Sequence, residues 1–182
     1  VTVTYSASKD VKGALEISTL IDNNEKQWMV KIWRHPSLKG FKAGSEDAFI
    51  LPVGTGHIYP LKSLLKAPEK DVPLPQFWSW DKKRKVYQCI QKYPSKYSSM
   101  QWAILRSKDR CVYYASHDKD FSYKDLRVTY NPETGVAEMN YVYKMTCMPG
   151  QSIQMPATIV RSYEGEWYEG ADIYRDWFLA QR

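Results

Sequence analysis

Gly135-Val136-Ala137-Glu138-Met139-Asn140-Tyr141-Val142-Tyr143-Lys144-Met145-Thr146-Cys147 sets its largest apolar and aromatic side chains at every second position. Met139, Tyr141, Tyr143, Met145 and Cys147 fall on one side of an extended chain, and Asn140, Val142, Lys144 and Thr146 on the other. That period of two is the mark of a β-strand with one buried face. Residues 27–33 repeat it, with Trp28, Val30 and Ile32 on a shared face expected to be half-buried. Further strands are expected over 2–5, 14–20, 48–51, 77–80, 86–91, 100–106, 111–116, 126–130 and 157–163. The connections carry turn chemistry: Asp22-Asn23-Asn24, Gly54-Thr55-Gly56, Ser107-Lys108-Asp109 and Asn131-Pro132-Glu133-Thr134-Gly135, in which Pro presets φ and Gly accepts positive φ. Many short strands joined by tight turns predict an all-β, large antiparallel sandwich.

Two segments break the rhythm. Pro60, Pro68, Pro73 and Pro75 forbid a central strand over 60–76, so a long crossing loop is expected there, with at most a short helical turn at Lys62-Ser63-Leu64-Leu65-Lys66. At the other end, Trp167, Ala171, Tyr174 and Trp177 recur at helical spacing, with Glu166 and Glu169 near the start, where carboxylates complement the helix dipole. The organisation expected is a sandwich over 1–163 and a C-terminal helix over 164–182, with no capping Gly, Asn or Pro after it. The helix reads as the start of a linker to a further domain, its stripe docking only partly on the sandwich, with Arg175 beside Tyr174 on the interdomain side.

With 43% hydrophobic and 14% aromatic residues, among them 14 Tyr and 7 Trp, the composition excludes a disordered chain. Lys and Arg outnumber Asp and Glu by 26 to 20, a net charge of +6, and the one basic run, Lys82-Lys83-Arg84-Lys85, reads as a solvated hairpin turn rather than a nucleic-acid contact. Cys89, Cys111 and Cys147 lack CxxC spacing; Cys111 and Cys147 read as buried thiols. No apolar span long enough to cross a membrane is present.

Chemistry-bearing residues are sparse. His35, His57 and His117 are scattered without metal-ligand spacing, there is no GxSxG elbow, and Gly54-Thr55-Gly56 reads as a turn. Neither a metal nor a cofactor is expected, and no catalytic residue is assigned. His117-Asp118 closes the strand 111–116. It reads either as a pair emerging at a strand end to meet a sugar hydroxyl, or as a structural pair in which Asp118 opens an Asx-turn before Phe121. Trp78 and Trp80 share one strand face, and with Trp102 and Gln101 they read either as a polar-rimmed aromatic sugar site or as core.

Taken in order, Trp33-Arg34-His35-Pro36-Ser37-Leu38, Ile50-Leu51-Pro52-Val53-Gly54-Thr55-Gly56, Tyr93-Pro94-Ser95 with Ser98-Ser99-Met100-Gln101-Trp102, Tyr114-Ala115-Ser116-His117-Asp118, and Trp167-Tyr168-Glu169-Gly170-Ala171-Asp172-Ile173-Tyr174-Arg175-Asp176-Trp177 resemble the upstream domain of certain bacterial glycoside hydrolases. In that family a galactose-mutarotase-like β-sandwich (a supersandwich) precedes a (β/α)₈ barrel, joined by a helix with the last motif. The resemblance implies a secreted or periplasmic enzyme whose catalytic carboxylates lie in a barrel beyond Arg182, with this domain non-catalytic, supporting the barrel and contributing to carbohydrate binding, and with His117 and Asp118 facing either the barrel or a sugar. A mutarotase's own catalytic His and Glu have no match here. The start at Val1 without Met is what removal of a leader, or trimming, leaves. The alternatives from other classes are a stand-alone carbohydrate-binding or adhesion module, and a basic aromatic domain that stacks single-stranded nucleic acid, which is not the partner expected.

Overall fold

The structure, a computed structural model, describes residues 1–65, 68, 74–98 and 100–181. Among the described residues, twelve strands form two antiparallel sheets: β1 (Thr2–Ala7), β2 (Leu15–Asp22), β3 (Val30–Lys42), β4 (Ala48–Leu51), β5 (His57–Pro60), β6 (Trp78–Asp81), β7 (Val86–Tyr93), β8 (Trp102–Ser107), β9 (Arg110–His117), β10 (Lys124–Asn131), β11 (Val136–Cys147) and β12 (Ser152–Glu164). The larger sheet has the order β1-β2-β12-β9-β8-β4-β5 and the smaller β3-β11-β10-β7-β6. One helix, α1 (Trp167–Leu179), follows β12. The chain is therefore an all-β sandwich with a C-terminal helix, as the alternation predicts. Of the crossing loop expected over 60–76, residues 66, 67 and 69–73 lie outside the described residues, as does Ser99; within it, Leu61–Leu64 forms the short 3₁₀ turn.

The core between the sheets is built from the residues the period of two selects. Leu126, Val128 and Tyr130 of β10 and Met139, Tyr141 and Tyr143 of β11 meet Phe49, Leu51, Leu105 and Tyr114 of the other sheet. A core this rich in tyrosine has many buried hydroxyls to satisfy, and Tyr59 Oη is one left without a partner among the described residues. Tyr114 and Tyr141 stack at 4.9 Å, and Tyr114 donates to Pro36 O at 2.8 Å, Tyr141 to Gln101 O at 2.7 Å. All three cysteines are buried and free.

One expected face is corrected. Trp28 and Ile32 are exposed, at 73% and 64%, while Trp33 packs with Val30 against the core. For Ile32 the cause is a shift of register between Lys144 and Cys147: a bulge inserts an extra residue and breaks simple alternation, so Val30 and Trp33 both turn inward, whereas Trp28 lies ahead of β3, outside the strand. β3 also runs past its expected end to Lys42, which is possible across Pro36 because β3 is an edge strand.

The larger sheet is buried on both sides at β8 and β9, where α1 covers it. In β9, Val112 and Tyr114 face the smaller sheet, whereas Cys111, Tyr113 and Ala115 face α1. The helix starts with a reciprocal capping box between Glu166 and Glu169, which satisfies amides at its open end. Its stripe lies on the sheet: Tyr174 and Trp177 are each 6% exposed, and Trp167 and Ala171 are half-buried. Close approach is set by Gly170, where an added Cβ would lie 2.6 Å from Ile104 Cδ1 and 2.7 Å from Tyr163 Oη.

Gly170→Ala sets two effects against each other. Helix propensity favours Ala by about 1 kcal/mol, while overpacking costs about 1–3 kcal/mol. Ile104 is fully buried and Tyr163 Oη is bonded to Trp167 O, so neither wall retreats and overpacking wins. Urea denaturation should show a net loss of about 1 kcal/mol; a gain would mean that α1 does not seat there.

Candidate functional site

The residues singled out by sequence converge where β9 ends, but around a residue that the sequence reading passed over. Lys124 opens β10 in phase with Leu126, Val128 and Tyr130, so its side chain enters the interior, where it is fully buried. Register places Tyr93, Lys124, Tyr143 and Trp33 in one cross-strand row, and the ammonium lies 5.0 Å and 5.8 Å from the Tyr93 and Tyr143 ring centroids, within cation–π range. Lys124 Nζ donates to Asp118 Oδ2 at 2.7 Å and to Gln101 Oε1.

Asp118 is 3% exposed, and its carboxylate also accepts from the backbone N–H of Asp120 at 3.0 Å and of Ser122 at 2.8 Å. This is the Asx-turn reading of the sequence. Burial opposes its charge, yet the Lys124 ammonium and the Ser122 donors outweigh burial and hold its carboxyl below the ordinary range. Burial pulls Lys124 down and Asp118 opposes that pull. The turn it organises holds Phe121 at φ 52, a left-handed conformation that costs a non-glycine about 1–2 kcal/mol, and sets the Phe121 ring against Phe178 of α1 at 6.0 Å.

Gln101, 1% exposed, donates from Nε2 to Asp118 O at 3.0 Å and to Tyr174 Oη at 3.4 Å. His117 continues the outward row of Cys111, Tyr113 and Ala115 and so meets the helix, stacked on Trp177 at 4.4 Å and 22°, with Nε2 3.1 Å from Tyr113 Oη. Gln101, His117, Asp118, Tyr174 and Trp177 are thus brought together as a joint between sheet and helix. Trp102 is 4% exposed in the core beneath α1; Trp78 is 6% exposed, and half-buried Trp80 lies against Tyr87 at 4.9 Å, both facing the core between the sheets. Arg175 is exposed and bridges Asp172 at 2.8 Å and Asp176 at 3.1 Å.

Beside the helix an apolar groove stays open. It has a volume of about 750 Å³ and is lined by Ile50, Ile58, Met100, Trp102, Trp167 and Phe178, with Arg175 at its margin. Ile58 and Met100 are 45% and 41% exposed. Among the described residues no group of His, Cys, Asp and Glu is disposed to hold a metal ion, and no helix is long and apolar enough to cross a membrane. No family model and no curated protein matches the sequence.

Burial pushes the His117 imidazole down to about 4 from 6.5. The unfolded chain therefore takes up a proton near pH 6.5 and the folded protein only near 4, so stability present at neutral pH falls as the pH drops between those values. At ~1.4 kcal/mol per unit the shift corresponds to about 3.5 kcal/mol, which the partial exposure of the ring reduces to roughly 2–3 kcal/mol. Urea midpoints at neutral pH and near pH 4 should show it, and His117→Phe, which keeps a ring on Trp177, should flatten this component. A wild-type response no steeper than the variant's would contradict a buried neutral imidazole.

Proposed function

We propose that the chain is the non-catalytic N-terminal β-sandwich of a carbohydrate-degrading enzyme, a glycoside hydrolase, supporting a (β/α)₈ barrel that follows it and contributing to carbohydrate binding. The groove beside α1 carries the reading. The helix covers β8 and β9 but leaves Ile58 and Met100 facing solvent, beside half-buried Trp167, in a continuous apolar channel, and an apolar surface of this kind at a helix edge marks an interaction site. Arg175 and Asp172, paired at 2.8 Å, supply polar contacts at its margin, as a domain interface requires.

The polar residues closest to a catalytic constellation are already engaged within the fold. Asp118 and Gln101 satisfy Lys124, and His117 is closed under Trp177. This is consistent with a scaffolding role, and the enzyme class proposed rests on the resemblance of the motif order to glycoside hydrolase upstream domains.

The reading frame beyond Arg182 tests the proposal most directly. Several hundred further residues with alternating βα periodicity are expected, and a stop codon close to Arg182 would remove the barrel. On this polypeptide alone, aryl glycosides should not turn over. Hydrolysis that survives purification and is lost on replacing one of its own Asp or Glu residues would contradict a non-catalytic role.

A further inference from the structure

The register that turns Lys124, Leu126 and Val128 inward turns Asp125, Arg127 and Thr129 outward, because directly paired residues of antiparallel strands share a face. Lys92, Asp125, Val142 and Arg34 form one cross-strand row on the outer face of the smaller sheet, and Ile90, Arg127, Asn140 and Ser37 the next. α1 lies on the opposite side of the sandwich, so among the described residues no helix covers this face. It gathers exposed Arg34, Lys39, Lys92 and Lys144 and half-buried Arg127 around the carboxylates Asp125 and Glu138. The net positive charge is thus concentrated by folding, from positions far apart in sequence.

Within the face most polar groups are organised. Arg127 Nη2 donates to Asp125 Oδ2 at 3.0 Å, and Glu138 Oε1 accepts from Ser37 Oγ at 3.0 Å and from Asn140 Nδ2 at 3.2 Å. Two buried atoms have no partner: Arg127 Nε, a donor, and Asn140 Oδ1, an acceptor. They belong to residues directly opposite each other in the ladder, and Asn140 is 3% exposed. Leaving a buried donor and a buried acceptor unmade is costly and calls for an explanation. A ligand that brings an anionic oxygen to Arg127 and a hydroxyl to Asn140 provides one, once the long exposed cations around them swing aside.

We propose that the outer face of the five-stranded sheet binds an acidic glycan, a chain of uronate or sulfated sugars. The guanidinium of Arg127, held by buried Asp125, takes the anionic groups with Arg34 and Lys92; Asn140 and Glu138 accept sugar hydroxyls; and Tyr123, 41% exposed and joined to Asp125 at 3.5 Å, offers a ring at the margin for a C–H face. The interleaved carboxylates select against nucleic acid, since they repel a continuous phosphate backbone, and one marginal ring does not build the stacking platform that single strands use. This names the ligand for the carbohydrate part of the function proposed above, and does not depend on a barrel being present.

Affinity electrophoresis of the chain through gels containing polygalacturonate, heparin or neutral dextran tests it, with titrations against an oligothymidylate and phosphatidylserine vesicles alongside. Retardation by an acidic polysaccharide and not by dextran is expected, weakening as salt rises. Arg34→Gln/Lys92→Gln, at exposed positions, should weaken it at least tenfold, and Arg127→Gln likewise if its sheet spectrum is intact; Lys9→Gln/Lys62→Gln, which removes the same charge elsewhere, should leave it unchanged. Equal retardation by dextran, no retardation by either polyanion, equal loss in the Lys9/Lys62 variant, or tighter binding of the oligonucleotide or vesicles would overturn the proposal. The reading frame beyond Arg182 bears on the docking role alone, so the two readings fail separately.

Discussion

An ammonium group with no exposed surface is the constraint around which one end of this sandwich is arranged. Taking a charge out of water is expensive unless it is paired and fully hydrogen-bonded. Lys124 meets that condition with a carboxylate, an amide oxygen and two tyrosine faces. Each partner is then tied to something else. Asp118 also closes the turn to Ser122, and Gln101 reaches the hydroxyl of Tyr174 in α1. The strand end, the following loop and the helix are therefore positioned together by one buried cation.

That joint explains how the helix belongs to the domain. Tyr174 and Trp177 complete a second core on the outer side of the larger sheet, with Ile104, Tyr113 and Ile159 beneath them. Burial at the joint contrasts with openness on either side of it. The apolar groove past Trp102 and Trp167 and the charged face of the smaller sheet lie on opposite sides of the sandwich, which suits a domain that holds a neighbour on one side and meets a ligand on the other.

Strand alternation made the sandwich legible because most strands bury one face against the other sheet, and Val136–Cys147 does so throughout its centre. It failed locally where another rule intervened. A bulge reversed Ile32, Trp28 fell outside the strand, and His57–Pro60 went unrecognised because four residues after a glycine turn are too short to display a period. The helix was visible from its aromatic spacing, and the hairpin at Lys82–Lys85 from its composition. The site was half legible. His117, Asp118 and Gln101 stood out as polar residues at strand ends, but whether they face solvent or a buried cation depends on a partner distant in sequence. Lys124 did carry a signal, being in phase with Leu126, Val128 and Tyr130, yet a lysine at a strand start reads as solvated. The charged outer face had no local signature, since Arg34, Lys92, Arg127 and Lys144 come from four separate strands.

The central claim, that Lys124 and Asp118 act as one buried unit securing loop and helix, is tested most directly by a double-mutant cycle in urea denaturation with Lys124→Met, Asp118→Asn and the two combined. Each single change leaves a buried partner uncompensated and should cost about 3–5 kcal/mol. The double variant should lose less than the two losses added, with a coupling of about 1–3 kcal/mol. Single losses near zero, or a double variant whose loss equals their sum, would contradict the account.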